Sequence, residues 1–191
     1  MSIRFLKYTS IWVSIGIIMT SLVFGGKWVF VAPLYVFGLI PLIELFFGGS
    51  EKNMEKAEEE MAKKDWKFDL VVWMVVPLQF TLFFFFMNRL DDDSLALWEK
   101  LGMMFAFGIA CGVLGINVAH ELGHRNTWYE QLMSKMLLAT SLYMHFFIEH
   151  NRGHHKNVST DEDPASSRYG EIIYAFYIRS VRDSWLSAWH I

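Results

Sequence analysis

Residues 101–119 are nineteen consecutive uncharged, mostly apolar residues, and the next five read HELGH. A helix of that length crosses the hydrocarbon core of a bilayer, so any fold of this chain must accommodate a membrane-length helix that ends on a pair of histidines. Three further apolar stretches precede it: residues 8–24, 28–47 and 70–87. The turn Gly25-Gly26-Lys27 joins the first two as a helical hairpin. The first stretch, with its charged leader, could pass for a signal peptide, but a second apolar run follows at once and no small-residue cleavage pattern intervenes. With 53% hydrophobic residues and 17 phenylalanines in 191, the composition agrees with a membrane protein. The expected fold is an all-α integral membrane protein with about four transmembrane helices, plus cytoplasmic or interfacial helices that carry the histidines, in one domain over residues 1–191.

Between the second and third stretches, residues 50–69 are rich in Glu and Lys at helical spacing and read as a solvated helix. Pro77 predicts a local kink in the third stretch. Gly108 and Gly112 in the fourth offer a small-residue spacing for a closely approaching helix. Lys and Arg accumulate on the cytoplasmic side of membrane proteins. Here Arg4, Lys7, Lys52, Lys56, Lys63, Lys64 and Lys67 fall on one side, and Lys27 and Arg89 on the other. The N-terminus is therefore expected in the cytoplasm, and His120 with it. A net charge of −3 and the lack of a basic tract argue against a nucleic-acid partner.

Six of the seven histidines lie between Asn117 and Glu171. His120 and His124 are four apart and share one helical face; His150 and His154 repeat the spacing, and His155 adds a further nitrogen. Cys111 is the only cysteine and sits inside the apolar run, which excludes an internal disulfide and any thiolate-built zinc or iron–sulfur site. An imidazole-only set suits iron, zinc, copper or nickel rather than magnesium or calcium. Five nitrogens exceed what a tetrahedral zinc takes, so either two ions or one ion with spare histidines is the natural reading. The two groups can share a centre only if residues 136–148, an apolar stretch of 13, do not cross the bilayer. Residues 128–150 are accordingly expected to form a non-spanning helix, and residues 171–191, rich in aromatics, a helix lying along the membrane surface. Glu121, His145, Glu149 and Glu44 are candidates for supporting the ligands from behind; His190 is isolated. HELGH also fits the HExxH pattern, in which Glu121 would serve as base in an intramembrane zinc protease.

HELGHR, then HFFIEHNRGHH, then DEDPASSRYGE resemble the first two histidine boxes of the membrane-bound alkane monooxygenases, relatives of the fatty acid desaturases. The resemblance covers nearly the whole chain. It implies terminal hydroxylation of alkanes to primary alcohols with dioxygen at a non-haem centre of two irons, with His120, His124, His150, His154 and His155 among the ligands. It also implies rubredoxin as electron donor, reduced by an NADH-dependent reductase, and a multi-pass protein of a bacterial inner membrane with its metal site cytoplasmic. Xylene monooxygenase-type proteins and desaturases share the box pattern and remain alternatives on substrate; an inactive metal-binding scaffold is the non-enzyme alternative. The family's third histidine box and a further histidine motif have no counterpart here, so the chain reads as the N-terminal portion of a longer hydroxylase and is expected to be inactive by itself.

The shared-centre argument fixes a topology. In a Cys111→Ser background, single cysteines at Asn126 and at Val158 should both be labelled by an impermeant thiol reagent from the cytoplasmic face only. Labelling from opposite faces would mean that residues 136–148 span the bilayer and that the two histidine groups cannot meet.

Overall fold

The computed structural model describes residues 9–47 and 65–191. Most of the expected solvated helix over residues 50–69, and Arg4, Lys7, Lys52, Lys56, Lys63 and Lys64, lie outside the described residues. Among the described residues the regular structure is entirely helical. The helices are α1 (Ile11–Phe24), α2 (Gly26–Phe47), α3 (Trp66–Leu90), α4 (Leu97–Gly123), α5 (Trp128–Ala139), α6 (residues 145–157) and α7 (Ile173–His190). The chain divides into two compact units, Met1–Gly115 and Ile116–Ile191.

The helices α2, α3 and α4 are each long and apolar enough to cross a membrane, while α1 is a shorter apolar helix of 14 residues. Large apolar side chains are left bare on α2, with Phe46 and Phe47 79% and 81% exposed. Water would penalise such a surface and lipid would not. The protein is an integral membrane protein.

The ends of these helices are set by local chemistry. Asp65 starts α3 four residues before the apolar run, its carboxylate accepting the Lys67 N–H at 3.2 Å. Gly25 and Gly26 both take positive φ, 62° and 52°, which only glycine adopts without strain in succession. The Glu99 carboxylate then ties two turns together, accepting from Gly26 N–H at 2.6 Å and from Ala96 N–H at 2.9 Å. Ser21 accepts the Ala32 N–H at 3.1 Å inside the core, satisfying a donor near the start of α2. Ile15, Ile18 and Leu22 present one face of α1 to the core, where α1 packs on α3 and α4.

Close helix approach occurs at a different glycine from the pair singled out in the sequence. A Cβ built on Gly108 or Gly112 would meet nothing, whereas one on Gly102 would collide with Val29 of α2. Among the described residues it is Gly102, not the Gly108/Gly112 pair, that lets α2 and α4 touch. The helix α3 runs through Pro77 without interruption, and Thr81 donates its hydroxyl to the Pro77 carbonyl at 2.8 Å.

In the second unit the end of α4 packs on α5, and α6 packs on both α5 and α7. Residues 128–150 do not form one helix. The helix α5 stops at Ala139, where Leu142 takes a left-handed conformation (φ 56°) and the N–H groups of Leu142 and Tyr143 return to the carbonyls of Ala139 and Leu138. This is the double hydrogen bond that closes a helix C-terminus, with leucine where glycine is usual. The Thr140 hydroxyl caps the Leu137 carbonyl, and the Ser141 hydroxyl adds a second donor to that of Leu138. The final helix begins at Ile173.

The contact at Gly102 makes a direct prediction. Gly102→Val should destabilise the helix bundle by about 1–3 kcal/mol through overpacking, seen as a lower thermal midpoint in detergent, while Gly108→Val should have a much smaller effect. Equal midpoints for the two variants would contradict the packing described.

Candidate metal centre

A π-helical turn shapes the site, at His150–His154 in the middle of α6. In an α-helix only His154 would share a face with His150. The wider i→i+5 turn brings His155 round as well, and the His155 Nε2 lies 3.1 Å from the His150 Nε2. The spacing of four placed His150 and His154 on one face, and their rings do stack, centroids 5.3 Å apart; the π turn adds His155 to the same side.

On the α4 side, Gly123 and Ser134 hold the histidine-bearing turn. A Cβ on Gly123 would press on Ser134 and Phe147, and the Ser134 hydroxyl donates to the Ala119 carbonyl at 2.6 Å. Arg125 anchors the end of the same turn through the buried Glu130 at 2.7 Å, which also accepts the Thr127 hydroxyl.

The ring nitrogens converge. His120 Nε2 lies 3.0 Å from His124 Nε2, and His124 Nε2 lies 3.1 Å from His150 Nε2. His120, His124 and His150 each offer a nitrogen within 4.8 Å of the others. Hydrogen bonding cannot account for this arrangement. An imidazole nitrogen supplies one proton or one lone pair, yet Nε2 of His124 and Nε2 of His150 each face two other ring nitrogens. An ion held at bonds of about 2.1 Å places adjacent ligands at right angles about 3.0 Å apart, which is the spacing found. The donor set is all nitrogen and without sulfur, as iron, zinc, copper or nickel would accept. The residues fit a metal.

His154 is oriented differently. Its ring stacks beside that of His150, centroids 5.3 Å apart, and its Nδ1 contacts the Asp163 carboxylate at 2.9 Å. Asp163 is 1% exposed. Burial pushes its carboxyl up, but the hydrogen bonds from Ser166, Ala165 and His154 outweigh that and hold it below the ordinary carboxylate range. Asp163 was not singled out in the sequence, although Asp-Pro-Ala-Ser-Ser is turn chemistry in which an Asp accepts from the backbone two residues on, as Asp163 does from Ala165.

The four supporting candidates divide. Glu149 is 3% exposed beside Gly153, where a Cβ would strike its carboxylate; one of its oxygens has no hydrogen-bond partner, and burial raises its carboxyl above the ordinary range. Glu121 is exposed and pairs with Arg125 at 3.3 Å. His145 stays apart from the nitrogen cluster. Its ring packs edge-on against Tyr143 at 4.4 Å, burial lowers its basicity, and it lines an apolar cavity of about 360 Å³ with Leu142, Met144, Phe147 and Trp185. Glu44 is exposed on α2, in the first unit.

A membrane-embedded helical protein whose polar chemistry is concentrated in paired histidine groups defines the class. Residues 94–191 match the fatty acid desaturase family, and the chain belongs to that family. It is 32% identical over 92% of its length to alkane 1-monooxygenase 1 of Alcanivorax borkumensis, covering 43% of that protein. It is 34% identical over 80% of its length to the alkane 1-monooxygenase of Pseudomonas putida, covering 38% of it. A lower similarity, 28% over 61% of the chain and 33% of the relative, links it to the hydroxylase component of a xylene/toluene monooxygenase of Pseudomonas putida. The chain spans less than half the length of these relatives.

The crowding of imidazoles has a pH signature. Burial, with the neighbouring imidazoles His120, His155, His124 and His154 adding to it, pushes His150 down to about 4, against 6.5 ordinarily. Between those values the unfolded chain binds more protons than the folded one, so stability contributed by neutral His150 is complete above pH 6.5 and is lost as pH falls toward 4. The thermal midpoint of the metal-free protein should drop over that range, and His150→Gln should flatten that part of the profile. Superimposable profiles would contradict the environment assigned to His150.

Proposed function

We propose that this chain carries part of the active centre of an alkane 1-monooxygenase, which converts an alkane, dioxygen, two electrons and two protons into a primary alcohol and water. The observation that supports this reading best is the convergence of Nε2 atoms from both histidine groups, in a chain similar over most of its length to proteins named for that activity. The metal is iron, two ions per intact protein, and when bound it supplies the reductive activation of dioxygen. His120, His124, His150 and His155 hold it through Nε2. His154, with Nδ1 committed to Asp163, keeps Nε2 for the same purpose. Glu121 is drawn toward Arg125 and has a supporting role at the helix end, not that of a base in peptide hydrolysis.

An alkane has no polar handle, so shape and burial must recognise it, and the bilayer both stores the substrate and delivers it. Phe-rich, lipid-facing helices suit that supply. Electrons come from rubredoxin, reduced through an NADH-dependent reductase, at a site on the cytoplasmic face of a bacterial inner membrane.

Elemental analysis tests the reading first. The protein isolated from its own host should contain iron, approaching two per chain in the intact form, and His150→Ala or His154→Ala should lower it. Given rubredoxin, its reductase and NADH, the intact protein should turn octane into 1-octanol. Stoichiometric zinc without iron, together with cleavage of a membrane peptide that Glu121→Gln abolishes, would replace this function with proteolysis.

A further inference from the structure

We propose that Asp163 is a positioning residue for His154, and that the Arg179–Glu171 ion pair holds Asp163 in place. This rests on the metal-binding reading of the histidines and adds to it a function for the segment DEDPASSRYGE, which contributes no ligand of its own.

An ionised carboxylate only accepts hydrogen bonds. Its 2.9 Å contact with His154 therefore puts the ring proton on Nδ1 and leaves the lone pair on Nε2. A metal-binding histidine needs that tautomer fixed, and a carboxylate on the far nitrogen is the usual means. Asp163 is itself immobilised, accepting the Ser166 hydroxyl at 2.6 Å through the oxygen that faces His154 and the Ala165 N–H at 2.9 Å through the other. Arg179 of α7 then locks the loop on either side. It donates to the carbonyls of Pro164 at 3.2 Å and Ser166 at 2.9 Å. The same guanidinium engages both oxygens of Glu171 at 2.6 and 2.7 Å, and Glu171 in turn accepts the Arg168 N–H. Both partners are 12% exposed, and the pairing with Arg179 leads the causes that hold the Glu171 carboxyl at about 2. The helix α7 is thus connected by polar contacts, through the loop, to one histidine ring.

A purely structural role for Asp163, as the residue that shapes its own turn, would give the same hydrogen bonds to Ala165 and Ser166. A double-mutant cycle on metal affinity separates the two. The purified protein is titrated anaerobically with Fe(II) against a competing chelator, and helix content is followed by circular dichroism. Asp163→Ala should weaken binding about 10–100-fold with helix content unchanged. Asp163→Asn, whose amide oxygen still accepts from Nδ1–H, should recover most of the loss. If Asp163 acts through His154, the double variant His154→Ala/Asp163→Ala should bind within about two-fold of His154→Ala alone. Arg179→Ala should weaken binding less than Asp163→Ala, in the same direction. Losses that multiply in the double variant, or Asp163→Ala binding as tightly as the parent, would overturn the proposal. Should Asp163→Ala fail to insert, Asp163→Ser, whose hydroxyl is too short to reach Nδ1, carries the same cycle. A parent whose Fe(II) binding is untouched by His124→Ala and His150→Ala would overturn the metal reading itself, and the proposal with it.

Discussion

Nitrogen lone pairs that face one another repel unless a proton or a cation lies between them, and the second unit brings four Nε2 atoms into a chain of contacts of 3.0–3.1 Å. Three contacts need three shared protons, and the two inner nitrogens can serve only one neighbour each. The surroundings are arranged to hold the rings together regardless: Gly123 admits Ser134 and Phe147 against the turn that carries the first pair, and the π turn at His150–His154 swings His155 onto His150. A cation that accepts all four lone pairs removes the conflict. The same set would be a liability in a protein with no metal to bind.

Much of the membrane architecture was legible in the sequence because hydrophobic length is a coarse signal that needs no tertiary information. The apolar runs at residues 28–47, 70–87 and 101–119 fall within α2, α3 and α4. The helix ends were less legible. Asp65 extends α3 by a cap, a local interaction visible only once the helix is known to begin there. The break after Ala139 escaped notice because the left-handed position is occupied by Leu142, a residue that carries no turn signal. The close approach at Gly102 depends on Val29 lying opposite, and sequence spacing alone cannot say which glycine faces a neighbour.

For the site, the histidine groups were legible and the π turn was not. The spacing of four holds for His120 and His124, whose Nε2 atoms lie 3.0 Å apart at the end of α4, while at His150–His154 the π turn also brings His155 onto His150. The carboxylate in contact with a ring of the second histidine group is Asp163, thirteen residues past His150 on a loop, while Glu121, inside the first motif, turns to Arg125. Contacts of that kind depend on how a loop returns to a helix. The chain belongs to the fatty acid desaturase family and is similar to alkane 1-monooxygenases, and the metal reading of these residues stands on the convergence of their ring nitrogens. Imidazole is a neutral ligand, so an all-imidazole set would leave the positive charge of a bound metal ion uncompensated.

X-ray absorption at the iron edge of the iron-loaded protein addresses the central claim most directly, that histidines from both groups share one metal centre. The account predicts nitrogen and oxygen neighbours at about 2.0–2.2 Å, with the outer-shell scattering of several imidazoles per iron that diminishes in both His124→Ala and His150→Ala. A sulfur neighbour, or imidazole scattering that is insensitive to one of the two substitutions, would contradict it.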